Sequence, residues 1–367
     1  MPAGRLSRND PAVRRVLHAW RRLTSSPGSA RVGSGAPTLV ACSGGADSTA
    51  LALVLAAGGA RIVLGHVVHD LRPGAQAEAD RDAVAALARH LGVGFCEGLA
   101  AARAAGGNLE AGARRLRYAV LRGLAAEQGM GFVATAHHAG DQLESVLMGL
   151  LRGAGPRGLA GMPARRLLRG PAPAVRLIRP MLRLEADEPR RLCRVAGLAW
   201  REDETNLDVS RLRSAVRHQV VPALEAVRPG AARRAAMSAT LLRDAAAVVR
   251  AVAGALPGNA GPPQPVAELG RNFVGWRLAR EDMRAARGIV VGEAVRLAAR
   301  RLGLGLDSLG ADAVEPVVRA ARDVATEPRR FGLGRGGGLV VLVTAREVVI
   351  AAERRGERAG PGPGGPR

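Results

Sequence analysis

The chain has 367 residues, 47% of them hydrophobic but only 2% aromatic, so Leu, Val and Ala must fill its core. This length is long for one domain and predicts two domains, or one domain with appended segments. All 54 basic residues are arginine, and the formal net charge of +22 favours polyanionic partners, nucleic acid first among them. Arginine that merely coats a soluble surface would give the same composition, so this alternative stays open.

The three cysteines, Cys42, Cys96 and Cys193, lie far apart and form no C-x-x-C pair. This spacing argues against a zinc ribbon, a cysteine-held iron–sulfur cluster and a disulfide framework, and it fits a reducing compartment. The N-terminus carries arginines but no apolar core of a signal peptide, and no stretch is long enough to cross a bilayer. We therefore expect a soluble, cytoplasmic protein that does not associate with membranes.

An N-terminal helix, followed by alternating strands and helices, is predicted for the first part of the chain. The run PAVRRVLHAWRRLT at 11–24 has the pattern of a basic amphipathic helix. Strand-like apolar runs follow at 38–42, 61–67, 93–98 and 131–136. Helical stretches lie near 47–58, 76–91, 108–128 and 140–152. This alternation predicts an α/β fold in which a parallel sheet is covered by helices on both faces.

The remainder of the chain gives a weaker pattern. A helical stretch from about 186 to 225 is interrupted by the polar segment REDETNLDVSR, and further helices are predicted at 231–255 and 286–302. The segment LPGNAGPPQP between them reads as a linker, and the run at 337–352 as a hairpin. We divide the chain into a lead-in at 1–36, an α/β domain at 37–228, a smaller helical or α+β domain at 229–354, and a disordered tail at 355–367.

The stretch LVACSGGADSTALAL at 39–53 joins a strand to a helix through a glycine turn, an arrangement that binds anions, phosphate above all. It is not a Walker loop, which needs Lys-Ser or Lys-Thr after its last glycine. Nor is it a dinucleotide fingerprint, which needs three spaced glycines. An acidic residue beside phosphate is unfavourable unless a cation bridges the two, so Asp47 indicates magnesium. The alternative is a plain glycine turn in which Asp47 caps the helix.

A second polar stretch, AHHAGDQLES, places His137, Asp141 and Glu144 at i, i+4 and i+7 on one face of a helix. Such a set can bind a metal or act in acid–base chemistry, although a hydrated, salt-bridged face is the commoner meaning. This stretch, the glycine loop and HVVHDLRPG each follow a predicted strand. Because ligands bind at the carboxyl ends of parallel strands, we expect all three to meet at one crevice.

Arginines follow a helical spacing in two further stretches. In NLEAGARRLRYAVL, Glu110, Arg114, Arg117 and Tyr118 share a stripe. The arginines face either nucleotide phosphates or RNA, unless Glu110 pairs with Arg114 along the helix. The stretch RLRSAVRH contributes Arg211, Arg213 and Arg217. These three form a basic helix edge, which is equally compatible with ordinary solvated surface.

The order of these motifs resembles that of the tRNA(Ile)-lysidine synthetase family, within the PP-loop ATP pyrophosphatases. The resemblance covers about residues 12 to 225 and weakens after them. It runs through SGGADS, HVVHDLRP, EAGARRLRY, ATAHHAGDQLES, LLRGAGPRGLAGM, RLIRPMLR, WREDETNLD and RLRSAVRHQVVPAL. Three positions depart from the family pattern. This chain has Gly140 where the family usually has a second Asp, Asp70 where a Gly is common, and Ser214 where an Asn is usual.

The resemblance implies a Rossmann-like PP-loop domain that ligates free L-lysine to the wobble cytidine of tRNA(Ile) with a CAU anticodon. The cytidine O2 would attack the α-phosphate of ATP, and the lysine amine would then attack C2 and release AMP. The implied ATP-binding residues are Ser43, Gly44, Gly45, Ala46, Asp47, Ser48 and His66, with Asp47 also a ligand of Mg²⁺. The implied catalytic residues are Asp47, His137, Asp141, Glu144, Arg114, Arg117, Arg213 and Arg217. The C-terminal domain is expected to bind tRNA, and a homodimer is left open.

Within this set we expect a division of roles. Asp47 would serve the phosphate side, whereas Asp141 and Glu144, with His137 beside them, would act around lysine and the reacting base. Two alternatives remain. Another PP-loop enzyme, such as a tRNA thiolase or an amidotransferase-type synthetase, is disfavoured by the missing C-x-x-C pairs and by the lack of a glutaminase-like segment. A non-catalytic RNA-binding relative is disfavoured by the intact Ser43, Asp47, Asp141 and Glu144.

Overall fold

The computed structural model describes residues 6–25, 35–69, 74–100, 109–201, 212–256, 258, 261–270, 272–304, 309–324, 327–334 and 338–353. The chain divides into two compact units. The first comprises Met1–Met148 and Gly161–Ala239, and the second comprises Gly149–Ala160 and Thr240–Arg367. These units follow packing and not function, so the functional division at residue 228 stays a prediction. The predicted tail at 355–367 lies outside the described residues.

The first unit contains a six-stranded sheet. Its strands are β1 (Thr38–Ala41), β2 (Ile62–His69), β3 (Gly94–Ala100), β4 (Phe132–Ala134), β5 (Arg165–Leu168) and β6 (Val175–Ile178). The order across the sheet is β3-β2-β1-β4-β6-β5, and every neighbouring pair is parallel except β5 with β6. The predicted parallel sheet is confirmed. The strands β5 and β6 were not predicted, because each is only four residues long and arginine interrupts its apolar pattern.

The helices of the first unit are α1 (Pro11–Thr24), α2 (Ala46–Ala57), α3 (Gly74–Leu91), α4 (Leu109–Glu127), α5 (Ala139–Leu150), α7 (Glu188–Val195), α8 (Leu212–Ala215) and α9 (Val221–Val227), with a π-helical turn at Val216–Val220. The short helix α6 (Pro156–Leu159) belongs to the second unit, and α10 (Ala231–Gly254) contains residues of both units. The N-terminal helix has the predicted bounds, and α2 to α5 lie within two residues of theirs.

The two faces of the sheet pack against different helices, because successive residues of a strand point to opposite sides. Val40, Leu64, Ala134 and Ile178 lie in one buried cluster with residues of α1, α2, α3 and α7. Leu39, Val63, Val133 and Leu177 lie in a second cluster with Leu121 and Leu124 of α4. The predicted covering of both faces is therefore confirmed. None of the helices in the described ranges is long and apolar enough to span a lipid bilayer.

The second unit contains an antiparallel sheet. Its strands are β7 (Gln264–Pro265), β8 (Phe273–Ala279), β9 (Arg329–Leu333), β10 (Leu339–Val343) and β11 (Glu347–Glu353), in the order β7-β8-β11-β10-β9. The helices α11 (Arg280–Ala285), α12 (Gly288–Arg301) and α13 (Ala311–Arg322) accompany it. The predicted hairpin is confirmed as β10–β11, and the two predicted helices as α10 and α12. The elements β8, β9, α11 and α13 were missed.

Three neighbouring strands place the candidate site. β1 pairs in parallel with β2 on one side and with β4 on the other. Their carboxyl ends therefore lie side by side at one edge of the sheet. The glycine loop leaves β1 there, and the AHHAG segment leaves β4. All four residues of HVVH belong to β2 itself, because this strand extends to His69 instead of ending at the predicted residue 67. Asp70 lies outside the described residues.

Candidate active site

The glycine loop has the geometry of an anion site. Gly44 has a φ of +84°, in the left-handed region that favours glycine. Gly45 is the N-cap of α2 and provides no side-chain cap, so the alternative in which Asp47 caps the helix is wrong. Ser48 closes the loop, since its Oγ accepts from the Ser43 N–H at 3.2 Å and donates to the Gly45 carbonyl at 3.0 Å. The N–H groups that begin α2 point out of its end toward this loop.

A distant segment holds the same loop from outside. The Arg201 backbone N–H donates to the Gly44 carbonyl at 3.0 Å. The Arg201 Nε donates to Asp80 Oδ1 at 2.6 Å, and Asp80 on α3 is only 7% exposed. This ion pair fixes the chain beside the glycines, which preorganises the loop for an anion. Sequence reasoning missed both residues because they lie 121 positions apart and follow no shared periodicity.

The loop meets the start of α5 through a histidine that the sequence analysis did not select. His138 Nε2 lies 3.8 Å from Asp47 Oδ2 and 3.7 Å from Asp141 Oδ2. Its Nδ1 accepts from the Gly140 N–H at 3.0 Å, and its own backbone N–H donates to Asp141 Oδ2 at 2.9 Å. Gly140 leaves the room for this ring, because a Cβ there would lie 2.8 Å from His138 Cε1. The two carboxylates of neighbouring strand ends thus converge on one imidazole.

The surroundings of Asp47 and Asp141 shift the pKa values of these two carboxyl groups in opposite directions. Partial burial raises the pKa of Asp47, and the nearby Asp141 carboxylate adds to the rise. Burial also opposes ionisation of Asp141, but His138, His137, the His138 N–H and Arg217 outweigh it, so the pKa of Asp141 lies below its ordinary value. Asp141 is therefore the more firmly ionised of the pair.

Glu144, one turn further along α5, is only 3% exposed and accepts from two arginines. Arg217 Nε donates to Glu144 Oε1 at 2.6 Å, and Arg213 Nε donates to Glu144 Oε2 at 3.3 Å. Arg217 also donates to Asp141 Oδ1 at 2.9 Å through Nη2. One guanidinium thus joins both carboxylates of the predicted α5 face, so the RLRSAVRH stretch is not ordinary solvated surface at Arg217.

A cavity of about 300 Å³ gathers most of the predicted catalytic residues. Its lining comprises Ala113, Arg114, Arg117, Tyr118, His137, Asp141, Arg213 and Arg217. His137 Nδ1 lies 2.9 Å from Thr135 Oγ1. Burial lowers the pKa of His137 to about 3, and Arg179, Arg114 and Arg117 contribute to the lowering. This imidazole is therefore neutral at pH 7. Glu144 is not part of the lining and lies behind Arg217.

A second cavity of about 180 Å³ adjoins the glycine loop. Its lining includes Ser43, His66, Asp80 and Arg117, together with Ala41, Cys42, Gly65, Val67, Val68, Ala77 and Leu121. His66 is 5% exposed, and its Nδ1 lies 3.0 Å from the Cys42 carbonyl. Burial lowers the pKa of His66. Arg117 lines both cavities, so the predicted ATP-binding and catalytic sets are contiguous.

The structure therefore gathers the predicted site residues around one loop and two adjoining cavities. The Glu110 side chain and Arg211 lie outside the described part of the chain, and the proposed Glu110–Arg114 pair stays a prediction. Within the described residues, no three His, Cys, Asp or Glu side chains are arranged to hold a metal ion. The oxygen donors of Asp47 nevertheless suit Mg²⁺, which commonly takes one or two carboxylates and completes its shell with water and phosphate.

The chain is similar to a known domain and to curated proteins. The family described as the PP-loop domain matches residues 25–224. A tRNA(Ile)-lysidine synthase of Salinispora arenicola is 40% identical over 256 residues, which cover 68% of this chain and 73% of that protein. The protein of the same name from Chromobacterium violaceum is 37% identical over 290 residues, or 76% of this chain. The chain spans only 59% of the Chromobacterium protein, and 48% of a 38% identical relative from Geobacter sulfurreducens.

A solved structure supports the fold alone. The U34-tRNA thiolase NcsA from Methanococcus maripaludis aligns with a TM-score of 0.51, at 16% identity, over 64% of this chain and 78% of that one. The two chains share the fold. At this level of identity the likeness carries no statement about reaction or substrate.

Proposed function

The chain belongs to the PP-loop family and, within it, to the tRNA(Ile)-lysidine synthase family, and on this premise we propose that it ligates free lysine to the wobble cytidine of tRNA(Ile). The substrate would be the tRNA with a CAU anticodon, and ATP would drive the ligation. One observation carries the proposal: the anion loop with Asp47 meets His138 and Asp141 beside an arginine-lined cavity that also contains His137.

In the first step, O2 of the cytidine attacks the α-phosphorus of ATP, the bond between the α-phosphorus and the bridging oxygen breaks, and pyrophosphate leaves. The loop from Ser43 to Ser48 would hold the pyrophosphate portion through its N–H groups and the helix dipole. Asp47 would hold Mg²⁺, which when bound neutralises charge on the phosphates. A target base is exposed most easily in a single-stranded loop such as an anticodon.

In the second step, the lysine ε-amine attacks C2 of the adenylated cytidine and AMP leaves with the former O2. Lysine is an ammonium ion in water, so a proton must be removed before its amine can attack. Ionised Asp141 lines the cavity and is the group we assign to this proton, and neutral His137 lies beside it. Arg217 would keep Asp141 oriented, and Glu144 would keep Arg217 in place.

The thiolation alternative finds less support in the cysteines. Cys42 and Cys193 are buried, and burial raises the pKa of Cys193 to about 12. Burial likewise raises the pKa of Cys96 to about 11. None of these thiols has the lowered pKa of a reactive cysteine. We therefore retain the ligase as the proposal. A cytoplasmic location, where ATP, lysine and tRNA coexist, is part of it, and homodimer formation stays a prediction for light scattering.

Release of pyrophosphate tests the proposed reaction. The full chain is incubated with ATP, Mg²⁺ and a tRNA(Ile) transcript with a CAU anticodon, with and without lysine, and the anticodon fragment is analysed by mass spectrometry. We expect tRNA-dependent pyrophosphate release and a lysine-dependent gain in mass at the wobble cytidine. A transcript with uridine at that position is the matched control. Pyrophosphate release without modification of the cytidine would contradict the ligase and favour another PP-loop enzyme.

A further inference from the structure

Tyr118 on α4 lies against two guanidinium groups. The Arg166 Cζ is 4.6 Å from the centre of its ring, and the Arg114 Cζ is 5.7 Å from it. We call Arg114, Tyr118 and Arg166 the tyrosine–arginine clasp. These distances are typical of cation–π contacts, which hold a guanidinium flat against a ring and leave its N–H edge available to a ligand.

The fold explains how the three residues meet. Arg114 and Tyr118 are i and i+4 on α4, so they lie one above the other on a single face. Arg166 and Leu168 are two apart on β5 and point to the same side of the sheet. Leu168 lies in the buried cluster that contains Leu121 of α4. The alternation of side chains along β5 therefore directs Arg166 toward α4, where its guanidinium contacts the ring of Tyr118.

The clasp is positively charged, and the described side chains provide no carboxylate that neutralises it. Among the described residues, no carboxylate lies within ion-pair distance of Arg114 or Arg166, whereas Arg217 and Arg213 are paired with Glu144. Arg179 adds a third charge near Tyr118. It is 3% exposed, and burial lowers its pKa only to about 10, so it remains a cation at neutral pH.

The tyrosine itself reports this excess charge. Burial raises the pKa of Tyr118, but the surrounding guanidinium groups outweigh burial, so the pKa lies below its ordinary value. Those groups belong to Arg114, Arg179, Arg117 and Arg166. The region thus favours an anion. Because Arg166 already covers part of the ring, the ligand meets guanidinium edges and not a free stacking surface.

The position of the clasp separates it from the ATP phosphates. Arg114 and Tyr118 line the 300 Å³ cavity, but Arg166 belongs to β5, the edge strand of the sheet. β5 is separated from β1, which leads into the anion loop, by β4 and β6. Three strand spacings correspond to about 14 Å. An anion in the clasp would therefore lie at the opposite end of the crevice from phosphates held by the loop.

We propose that the tyrosine–arginine clasp binds a backbone phosphate of the substrate RNA, next to the nucleotide that enters the cavity. The identification of the anion as RNA rests on the proposed function. Arginine suits this task because its planar fork can donate two parallel hydrogen bonds to phosphate oxygens. By holding one phosphate at the mouth of the cavity, the clasp would position the neighbouring base without reading its identity.

Binding of a labelled anticodon stem–loop of tRNA(Ile), measured across a series of NaCl concentrations, tests the clasp. The full chain is compared with Arg166→Gln, Tyr118→Phe and Tyr118→Leu. Arg89→Gln is the matched control, because Arg89 is an exposed arginine on α3 and its loss changes the net charge equally. We expect Arg166→Gln to weaken RNA binding about tenfold, as for a lost charge-assisted hydrogen bond. The slope of the logarithm of the RNA association constant against the logarithm of the NaCl concentration should become less negative by about 0.7. This is the change expected for one lost phosphate contact to single-stranded RNA.

The tyrosine variants separate the ring from the hydroxyl. Tyr118→Phe keeps the face on which Arg166 lies and should bind RNA like the unaltered chain, whereas Tyr118→Leu should lose affinity. ATP affinity, measured in parallel, should stay unchanged in all of them. Thermal unfolding of each variant shows whether a loss of binding reflects a loss of fold.

Two results would overturn the clasp: Arg166→Gln binds RNA with the affinity and salt slope of Arg89→Gln, or its ATP affinity falls instead of its RNA affinity. The proposed function is judged by a separate readout, lysidine formation by the unaltered chain. If the unaltered chain forms lysidine and Arg166→Gln does not change RNA binding, the proposal for the clasp is wrong and the proposed function stands. If RNA binding depends on the clasp but no lysidine forms, the proposed function is wrong and the proposal for the clasp stands.

Discussion

Asp47 differs from the other carboxylates of the site in its exposure. Its side chain is 44% exposed, whereas Asp141 and Glu144 are buried. A carboxylate that is accessible beside an anion loop can share a cation with a bound phosphate, and a carboxylate held by arginines is already neutralised. The three acidic residues therefore suit different tasks, although they lie within one site.

We predict that Asp47→Ala abolishes pyrophosphate release and leaves tRNA affinity nearly unchanged. Asp47 would act through magnesium and phosphate, whereas tRNA would be held mainly by arginines distributed over the surface. Pyrophosphate release and tRNA binding are measured on the same preparation, with the exposed Asp82→Ala as the control. Normal pyrophosphate release combined with a tenfold loss of tRNA binding would contradict this assignment.

The partly buried His137 predicts a dependence of stability on pH. Its pKa is about 3 in the folded chain, against an ordinary value of 6.5, because burial disfavours the imidazolium. Below pH 6.5 the unfolded chain binds a proton that the folded chain does not, so the free energy of unfolding falls as the pH falls toward 3. Above pH 6.5 this contribution is constant.

Replacement of His137 by Gln should remove that contribution. We expect the free energy of unfolding, measured by urea titration, to fall less between pH 7.5 and pH 5 in His137→Gln than in the unaltered chain. Other titrating groups, including the buried His66, are shared by both proteins and cancel in the comparison. An equal fall in the two proteins would show that His137 is protonated in the folded chain.

Periodicity and motif order predicted residues that the structure brings together, although their roles remain predictions. His137 and Asp141, four residues apart, both line the cavity. His138 was not predicted, because its ring accepts a hydrogen bond from the Gly140 N–H, a local contact that no spacing rule indicates. Asp80 and Arg201 escaped because their contact depends on how α3 and the segment after α7 pack around the loop.

The element that joins the two proposed steps is the contact between α5 and the π-helical turn at Val216–Val220. Arg217 in that turn donates to both Asp141 and Glu144. π-Helical turns widen a helix locally and are frequent at functional sites. Here the turn carries the guanidinium that links the two carboxylates, so a change in Glu144 should reach Asp141 through Arg217.

We therefore predict that Glu144→Gln slows lysine transfer more than adenylation. The neutral amide would bind Arg217 less strongly and leave Asp141 less well oriented. Some lysine-independent pyrophosphate release should persist, while adenylated tRNA accumulates and little lysidine forms, as detected by mass spectrometry of the anticodon fragment. If pyrophosphate release is lost together with its magnesium dependence, Glu144 is a metal ligand and the role division is wrong.

Among the elements, β1 to β4 and α1 to α5 were predictable because apolar runs alternate with glycine turns and helical stripes. The strands β5 and β6 were not, since Arg165, Arg166 and Arg176 occupy positions that an isolated sequence pattern assigns to loops. In the second unit, β8 begins with FVGW and runs directly into α11. Without a turn residue between strand and helix, the local pattern has no boundary to detect.

At the scale of the molecule, the chain combines a net charge of +22 with two compact units. We predict that removal of residues 240–367 lowers tRNA affinity more than ATP affinity, because the loop and both cavities belong to the first unit. Ending the chain after Ala239 keeps Ala232 and Ala236, which pack against Ala139 and Leu143 of α5. Both affinities are measured at matched salt, after circular dichroism has verified the fold. Equal tRNA binding by the shortened chain would exclude a tRNA-holding role for residues 240–367.

The contact between Gly140 and His138 links a departure from the family pattern to the geometry of the site. A Cβ at position 140 would lie 2.8 Å from His138 Cε1 and 3.0 Å from its Nδ1, so any other residue there must displace the ring. The ring would then lose its hydrogen bond from the backbone and its place between Asp47 and Asp141. In this chain the position of the His138 ring between the two carboxylates therefore depends on the glycine that replaces the usual Asp of the family pattern.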